Sequence, residues 1–127
     1  EGGQDGPVLS WRGLDELGSY HRLPADSSRY DNLTGCGNAV DLSTPATRTM
    51  VVDCLRWWVE VMGVDGFRFD LASTLGRGRH GFEPRHPFFA LLQSDPAFTF
   101  VKWIAEPWDG SGWLSVGGIS RRLGRVE

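Results

Sequence analysis

The sequence has few cysteines and no long apolar run, and both shortages narrow the classes of protein to which it can belong. Cys36 and Cys54 are the only cysteines, and with His21, His80 and His86 they show no metal-ligand spacing. No apolar run is long enough to span a bilayer, and no secretory signal pattern is present. We therefore expect two unpaired, buried thiols in a cytoplasmic protein with no membrane partner, no metal and no cofactor.

The chain also lacks a large excess of charge of either sign. The formal net charge is -3 over 127 residues, without acidic or basic blocks, which argues against a nucleic-acid partner. The length is that of one ordinary domain, and six Trp and seventeen Gly are the unusual features of the composition. Because the chain opens with Glu1 and not Met, we expect the opening to lie in the middle of a gene.

The first third of the chain is rich in turn-forming residues. Residues 1–43 are dense in Gly, Asp, Asn, Ser and Pro, which predicts a long irregular segment without packed elements. Residues 30–38 are too specific in sequence for a plain linker, so the segment is interpreted as a functional loop. Its oxygen-bearing side chains have no recognised calcium spacing and are interpreted as turn formers. They are Asp26, Asp31, Asn32 and Asp41.

A helix and a strand follow. Thr44 suits the N-cap, Pro45 the first helical position and Gly63 the stop. Residues 64–70 form a short apolar run that predicts a buried parallel strand. The apolar positions that recur at helical spacing are Met50, Val51, Cys54, Leu55, Trp58, Val59 and Met62.

The second half repeats this order. Residues 71–87 are loop-like, residues 88–93 predict a short helix, and residues 98–105 predict a second strand that is followed by Glu106. Strands that alternate with helices indicate an α/β architecture, in which active sites lie at the carboxyl ends of parallel strands.

Two carboxylates follow these two strands. Arg68 and Asp70 are two apart and share a strand face, and a guanidinium stabilises an ionised carboxylate, as a nucleophile requires. Glu106 lies between large apolar residues in the sequence, and an apolar setting raises the pKa of a carboxyl group towards that of a general acid. Such a pair suits glycoside hydrolysis. The alternative is structural, with Asp70 capping a turn and Glu106 on the surface or in an ion pair.

Three motifs resemble the α-amylase superfamily of retaining glycoside hydrolases. Residues 66–70 read Gly-Phe-Arg-Phe-Asp and residues 105–109 read Ala-Glu-Pro-Trp-Asp. Residues 30–38, with the core Asn-x-Thr-Gly-Cys-Gly-Asn, narrow the resemblance to the glycogen debranching enzymes and isoamylases. Residues 1–13 are similar to the segment that follows the third barrel strand in this family. The resemblance implies a fragment of a TIM (β/α)8 barrel that covers about two β/α units and a long βα loop.

The resemblance also implies roles for particular residues. Asp70 would be the nucleophile, Glu106 the acid/base, and Arg68 the guanidinium that positions Asp70. Trp108 and Asp109 would bind substrate, a branched α-glucan such as glycogen or limit dextrin. In a retaining mechanism the two carboxyl groups lie about 5 to 5.5 Å apart.

The choice of bond rests on differences within the superfamily. Many α-amylases carry a Lys-His pair shortly after the nucleophile, whereas residues 71–74 here read Leu-Ala-Ser-Thr, which favours α-1,6 branch points. Pullulanases tend to have Gly after the acid/base, where this chain has Pro107. A pullulanase or trehalose-releasing hydrolase remains an alternative, as does a non-catalytic glucan-binding relic in which Trp11, Tyr20 and Trp108 stack on sugars.

The chain departs from the family in two ways. It holds two of the eight strands of a barrel and no match to the third catalytic Asp of the family, so we expect a fragment that is inactive and weakly stable alone. Residues 113–127 lack the expected continuation, but a permitted codon string for them, moved by one nucleotide, reads Gly-Tyr-Gln-Leu-Ala-Gly-Phe-Pro-Ala-Gly-Trp-Ala-Glu-Trp. We therefore divide the chain into residues 1–43 (βα loop), 44–112 (two β/α units with the catalytic residues) and 113–127 (a tail produced by a frameshift).

Overall fold

The computed structural model describes residues 11–78, 80–106 and 108, with helices and strands intermixed along the chain. The helices are α1 (Arg12–Ser19), α2 (Pro45–Glu60) and α3 (Pro87–Ser94). The strands are β1 (Arg22–Leu23), β2 (Asp26–Tyr30), β3 (Gly66–Phe69), β4 (Arg77–Gly78), β5 (Gly81–Phe82) and β6 (Lys102–Ala105). Short 3-10 turns occupy Ala72–Gly76 and Pro96–Phe98. Within the described residues, no helix is both long and apolar enough to cross a membrane.

A parallel pair of strands, β3 and β6, lies at the centre of the second half. The register runs from Gly66 opposite Lys102 to Phe69 opposite Ala105. The two strands approach each other so closely at Gly66 that only glycine fits there. A Cβ at this position would lie 2.7 Å from the carbonyl oxygen of Lys102. The predicted parallel pairing of these two strands is confirmed. The predicted burial of the first strand is wrong, because β3 is half-buried and its Arg68 side chain is exposed.

The main core lies between this strand pair and the helices. Phe67, Phe69 and Trp103 stack on one face of the strands, and Phe88 of α3 packs edge-on against Phe69. Phe98 packs edge-on against Trp103. This aromatic cluster fixes α3 and the turn Pro96–Phe98 against the strands.

Helix α2 begins and ends as predicted. Thr44 is its N-cap residue and Pro45 its first residue, although the Thr44 side chain makes no capping hydrogen bond. Gly63 has φ +72°, a left-handed conformation that glycine adopts without strain. Arg56 of α2 forms an ion pair of 2.6 Å with Asp95, the residue that precedes the turn Pro96–Phe98.

The predicted buried face of α2 is partly wrong. Thr47, Val52 and Leu55 are the buried residues of the helix. The exposed members of the predicted face are Met50, Cys54, Trp58 and Met62. The helix packs on α1, α3 and the turn Pro96–Phe98, and these partners determine which side is covered. The spacing of apolar residues predicted the helix, but it did not predict which side of the helix is buried.

The prediction of an irregular segment before residue 44 is wrong for its described part. Helix α1 and an antiparallel hairpin of β1 and β2 lie there, and the Tyr20 and Tyr30 rings are buried against each other edge-on. The turn-forming residues of this segment therefore lie in a packed hairpin, which the high frequency of such residues in the sequence did not predict. Residues 1–10 lie outside the described residues.

Three smaller expectations also need correction. Cys36 and Cys54 are both free, as predicted, but both are exposed. The second strand begins at Lys102, because the Asp95 side chain accepts the Ala97 N–H at 3.0 Å and turns the preceding residues into a 3-10 turn. The loop predicted at residues 71–87 contains the turn Ala72–Gly76 and a small hairpin of β4 and β5. Helix α3 is confirmed.

Candidate active site

The parallel register places Asp70 and Glu106 beside each other at the carboxyl ends of β3 and β6. Phe69 pairs with Ala105, so the two acidic residues are the next along each strand. The Glu106 N–H donates to the carbonyl oxygen of Phe69 at 3.0 Å, and the Ala72 N–H donates to the carbonyl oxygen of Glu106 at 2.9 Å. Backbone hydrogen bonds therefore hold the two chain segments together at this edge.

Arg68 contacts both carboxylates. Its Nη1 lies 3.8 Å from Oδ1 of Asp70, and its Nη2 donates to Oε1 of Glu106. The side chain of Asp70 is 78% exposed, whereas that of Glu106 is 17% exposed. The structure thus brings together the three residues that the sequence singles out, with one carboxylate open to solvent and the other enclosed.

The apolar setting expected for Glu106 is not what the structure contains. One carboxylate oxygen of Glu106 faces Arg68, and the other accepts the Leu71 N–H at 3.2 Å. Trp103, close in sequence, belongs to the opposite face of the strands, where it stacks on Phe67. Neighbours in a strand alternate between faces, so apolar residues in the sequence do not surround the carboxylate in space. The ion-pair alternative describes this contact correctly.

Leu71 is a site residue that the sequence did not reveal. Its φ of 47° and ψ of 48° are left-handed, and among the described residues it is the only non-glycine with positive φ. No sequence pattern signals such a conformation at a leucine, since Gly and Asn are the residues that favour it.

The other residues predicted to bind sugar differ in how far their side chains are exposed. Trp108 is 43% exposed, so part of its ring is accessible. Tyr20 is 4% exposed and packs against Tyr30, which corrects the idea that it stacks on a sugar. Asp109 lies outside the described residues.

Loop oxygens serve as turn formers, as the sequence indicated. Asp26 accepts the Ser28 N–H at 3.0 Å and Asp41 accepts the Ser43 N–H at 2.8 Å, while Asn32 accepts the Gly37 N–H at 2.7 Å. In the described part of the chain, no three His, Cys, Asp or Glu side chains are grouped closely enough to hold a metal ion.

Two histidines lie elsewhere in the fold, His86 buried and His21 partly buried. Burial lowers the pKa of His21, against the opposing effect of the Asp41 carboxylate, which lies 3.7 Å from its Nε2. Burial also lowers the pKa of His86, against the opposing charge of Glu83. Nδ1 of His86 accepts the Phe88 N–H at 3.3 Å and so caps α3. We therefore assign both imidazoles a role in the fold and not in the candidate active site.

The amino-acid sequence of this chain is similar to those of two curated proteins of glycogen metabolism. Over 118 residues, 92% of this chain, the sequence is 46% identical to the glycogen operon protein GlgX homolog of Mycobacterium tuberculosis. Over 114 residues, 89% of this chain, it is 48% identical to the glycogen debranching enzyme of Escherichia fergusonii. This chain is related to the glycogen debranching enzymes. These relatives are glycoside hydrolases, and the chain covers 16% and 17% of their respective lengths. No family model matches the chain.

Two solved pullulanase structures also match this chain. A pullulanase from Bacillus acidopullulyticus matches 77% of the chain with a TM-score of 0.54 and 32% identity. A type I pullulanase from Bacillus subtilis, in complex with maltose, matches 84% of it with a TM-score of 0.60. The latter is 20% identical and supports the fold alone. The chain covers 11% and 14% of these two structures.

Proposed function

We propose that this chain is the piece of a glycogen debranching hydrolase that carries its two catalytic carboxylates. Asp70 is the nucleophile, Glu106 is the acid/base, and Arg68 positions them. The substrate is the α-1,6 branch linkage of glycogen or limit dextrin. The observation that carries this proposal is the side-by-side arrangement of Asp70 and Glu106 at the ends of two parallel strands, with Arg68 against both.

The exposure of each carboxylate supports its assigned role. Asp70 projects openly from the end of β3, where it can reach the anomeric carbon of a bound sugar. Glu106 is held by two donors and keeps a fixed direction. In the first step Asp70 attacks the anomeric carbon while Glu106 protonates the leaving oxygen; in the second, Glu106 deprotonates the water that releases the glucan.

Arg68 links these steps through its two contacts. The guanidinium is shared between Asp70 and Glu106. For Glu106 to carry a proton to the leaving oxygen, Arg68 moves off it and pairs with Asp70. The Arg68 side chain is 55% exposed, so it has room for this movement.

The architecture proposed for the whole enzyme is a (β/α)8 barrel. Residues 44–112 supply two of its β/α units, and residues 1–43 supply a long βα loop that carries the hairpin of β1 and β2. The parallel pairing of β3 and β6 and the position of both carboxylates at the carboxyl ends of these strands support this assignment. The chain alone is expected to be inactive.

The test uses the full-length product of the gene that encodes these residues, expressed with a continuous reading frame restored after residue 112 where the frameshift proposed below interrupts it. Release of branches from limit dextrin should fall by at least about 10⁴-fold in Asp70→Asn and by about 10²- to 10⁴-fold in Glu106→Gln. Asp70→Asn should unfold at the wild-type temperature, because the exposed Asp70–Arg68 ion pair contributes little stability. Glu106→Gln should unfold close to that temperature, because an amide oxygen can still accept the Leu71 N–H. Wild-type activity in either variant, or no activity in the wild-type product, would overturn the proposal.

Azide separates the two roles. In Asp70→Ala, azide replaces the missing nucleophile and should yield a glycosyl azide of inverted configuration. In Glu106→Ala, azide intercepts the covalent intermediate, so the glycosyl azide should keep the configuration of the substrate. The opposite pattern would exchange the two assignments.

A pullulanase activity is the second candidate. The 32% identity to the Bacillus acidopullulyticus pullulanase favours it, whereas the relatives at 46% and 48% identity favour debranching of glycogen. The full-length wild-type product should have a higher kcat/KM on limit dextrin than on pullulan. A higher value on pullulan would reverse the order.

For residues 113–127, which lie outside the described residues, we propose that a frameshift near Gly112 replaced the native continuation. The nucleotide sequence tests this directly. A shifted frame that encodes the run ending in Gly-Trp-Ala-Glu-Trp is expected, and codons that cannot yield it would refute the frameshift.

A further inference from the structure

The residue after Asp70 has a backbone conformation that its side chain disfavours. Leu71 has φ 47° and ψ 48°, where the Cβ of an L-residue crowds its own backbone. Outliers of this kind persist only where the surrounding structure holds them, and they cluster at functional sites.

The turn places the Leu71 N–H against the carboxylate of Glu106. This N–H donates to Oε2 of Glu106 at 3.2 Å. The other carboxylate oxygen, Oε1, faces Arg68. Each oxygen of Glu106 therefore has its own donor, one from a side chain that can move and one from the backbone.

The turn itself is held by hydrogen bonds of Leu71 and of the residue that follows it. The carbonyl oxygen of Leu71 accepts the Thr74 N–H at 2.9 Å and the Thr74 hydroxyl at 2.8 Å. The next residue, Ala72, is fully buried and donates its N–H to the carbonyl oxygen of Glu106. The peptide that follows Asp70 is therefore held in place by hydrogen bonds that do not involve a substrate.

We propose that Leu71 is a positioning residue for Glu106, acting through its backbone N–H. This inference rests on the proposed role of Glu106 as acid/base. The left-handed turn directs the N–H at Oε2 and orients the carboxyl group, so that Oε1 faces the leaving oxygen once Arg68 moves away. Because Asp70 and Leu71 share a peptide bond, the same turn also sets the position of the acid/base relative to the nucleophile.

The test compares substitutions that differ in how well they adopt the left-handed conformation. Asn tolerates it and Val does not, because Val is β-branched. In the full-length gene product, Leu71→Val should lower kcat for hydrolysis of an α-1,6 branch by about 100-fold with KM unchanged. Leu71→Asn should stay within a few-fold of the wild type.

A second substrate separates positioning of the acid from general damage to the site. The fluoride of α-maltosyl fluoride leaves without protonation by an acid. First-turnover release of fluoride by Leu71→Val should therefore stay within a few-fold of the wild-type rate. Glu106→Gln should show the same difference between substrates, whereas Asp70→Asn should lose both reactions.

Two outcomes would overturn the inference. One is a Leu71→Val variant with wild-type kcat on the branched substrate. The other is equal loss on both substrates, which would mean that Leu71 maintains the structure and does not act through Glu106. In either case, loss of activity in Asp70→Asn and Glu106→Gln would leave the proposed function standing, and their full activity would remove it.

Discussion

The two faces of the β3–β6 pair differ in composition and packing although their residues alternate along the same strands. One face stacks Phe67, Phe69 and Trp103 against the helical side of the protein. The other presents Arg68 and Ile104 to solvent, with the two carboxylates at its end. Period-two alternation separates a stabilising face from a reactive one, so stability and activity should respond to different substitutions.

The largest expected effect on stability comes from the packed face. Phe88 is fully buried and contacts Phe69, so Phe88→Ala should cost about 3–5 kcal/mol of unfolding free energy. Ile104→Ala, at a residue of the open face that is 42% exposed, should cost less than about 1 kcal/mol.

Urea unfolding of the full-length gene product, followed by far-UV circular dichroism, compares these two variants. Where Phe88→Ala prevents folding, loss of the dichroism signal without urea counts as the larger effect. Equal midpoints for Phe88→Ala and Ile104→Ala would mean that the two faces contribute equally, and the distinction between them would fail.

A smaller effect is expected where the strands approach each other. Gly66→Ala places a Cβ 2.7 Å from the Lys102 carbonyl oxygen and should cost about 1–3 kcal/mol by forcing β3 from β6. Gly63→Ala has open space around its Cβ and should cost only about 1 kcal/mol for its left-handed backbone.

This glycine pair also tests the link between the strands and the site. In the full-length gene product, Gly66→Ala should lower hydrolysis more than Gly63→Ala, since the register of β3 and β6 sets the carboxylates side by side. Unchanged kcat in Gly66→Ala would show that the site tolerates a shift of the strands.

The smallest predicted effect lies away from both faces, at His21 and His86. Burial lowers the pKa of each below the ordinary value of 6.5. Below about pH 6.5 the unfolded chain therefore binds protons that the folded chain does not, and the free energy of unfolding should fall as the pH drops. Above about pH 7.5 it should be independent of these groups.

Urea midpoints of the full-length gene product at pH 7.5, 6.5 and 5.5 measure this dependence. His86→Asn keeps an acceptor for the Phe88 N–H and cannot titrate, so its midpoint should fall less between pH 7.5 and 5.5. His80→Asn, at an exposed histidine, controls for the loss of a histidine as such. A wild-type midpoint that rises at pH 5.5 would contradict the predicted sign.

Local sequence rules were enough for several elements. The bounds of α2, the stop at Gly63 and the helix α3 follow from the residues at the helix ends, glycine conformation and apolar spacing. The opposite directions of Arg68 and its phenylalanine neighbours follow from strand alternation alone. Each of these features depends on residues that are adjacent in the chain, so the sequence by itself determined them.

Other features depended on what packs where, and only the tertiary structure decided them. The hairpin of β1 and β2, the covered side of α2 and the exposure of Cys54 are set by contacts between distant segments. The donors of Glu106 come from Arg68 and Leu71, 38 and 35 positions away, and the left-handed turn at Leu71 opposes its own local preference. Spacing places chemical groups on an element, but burial and hydrogen bonding between elements determine which groups meet, because these energies depend on the folded arrangement.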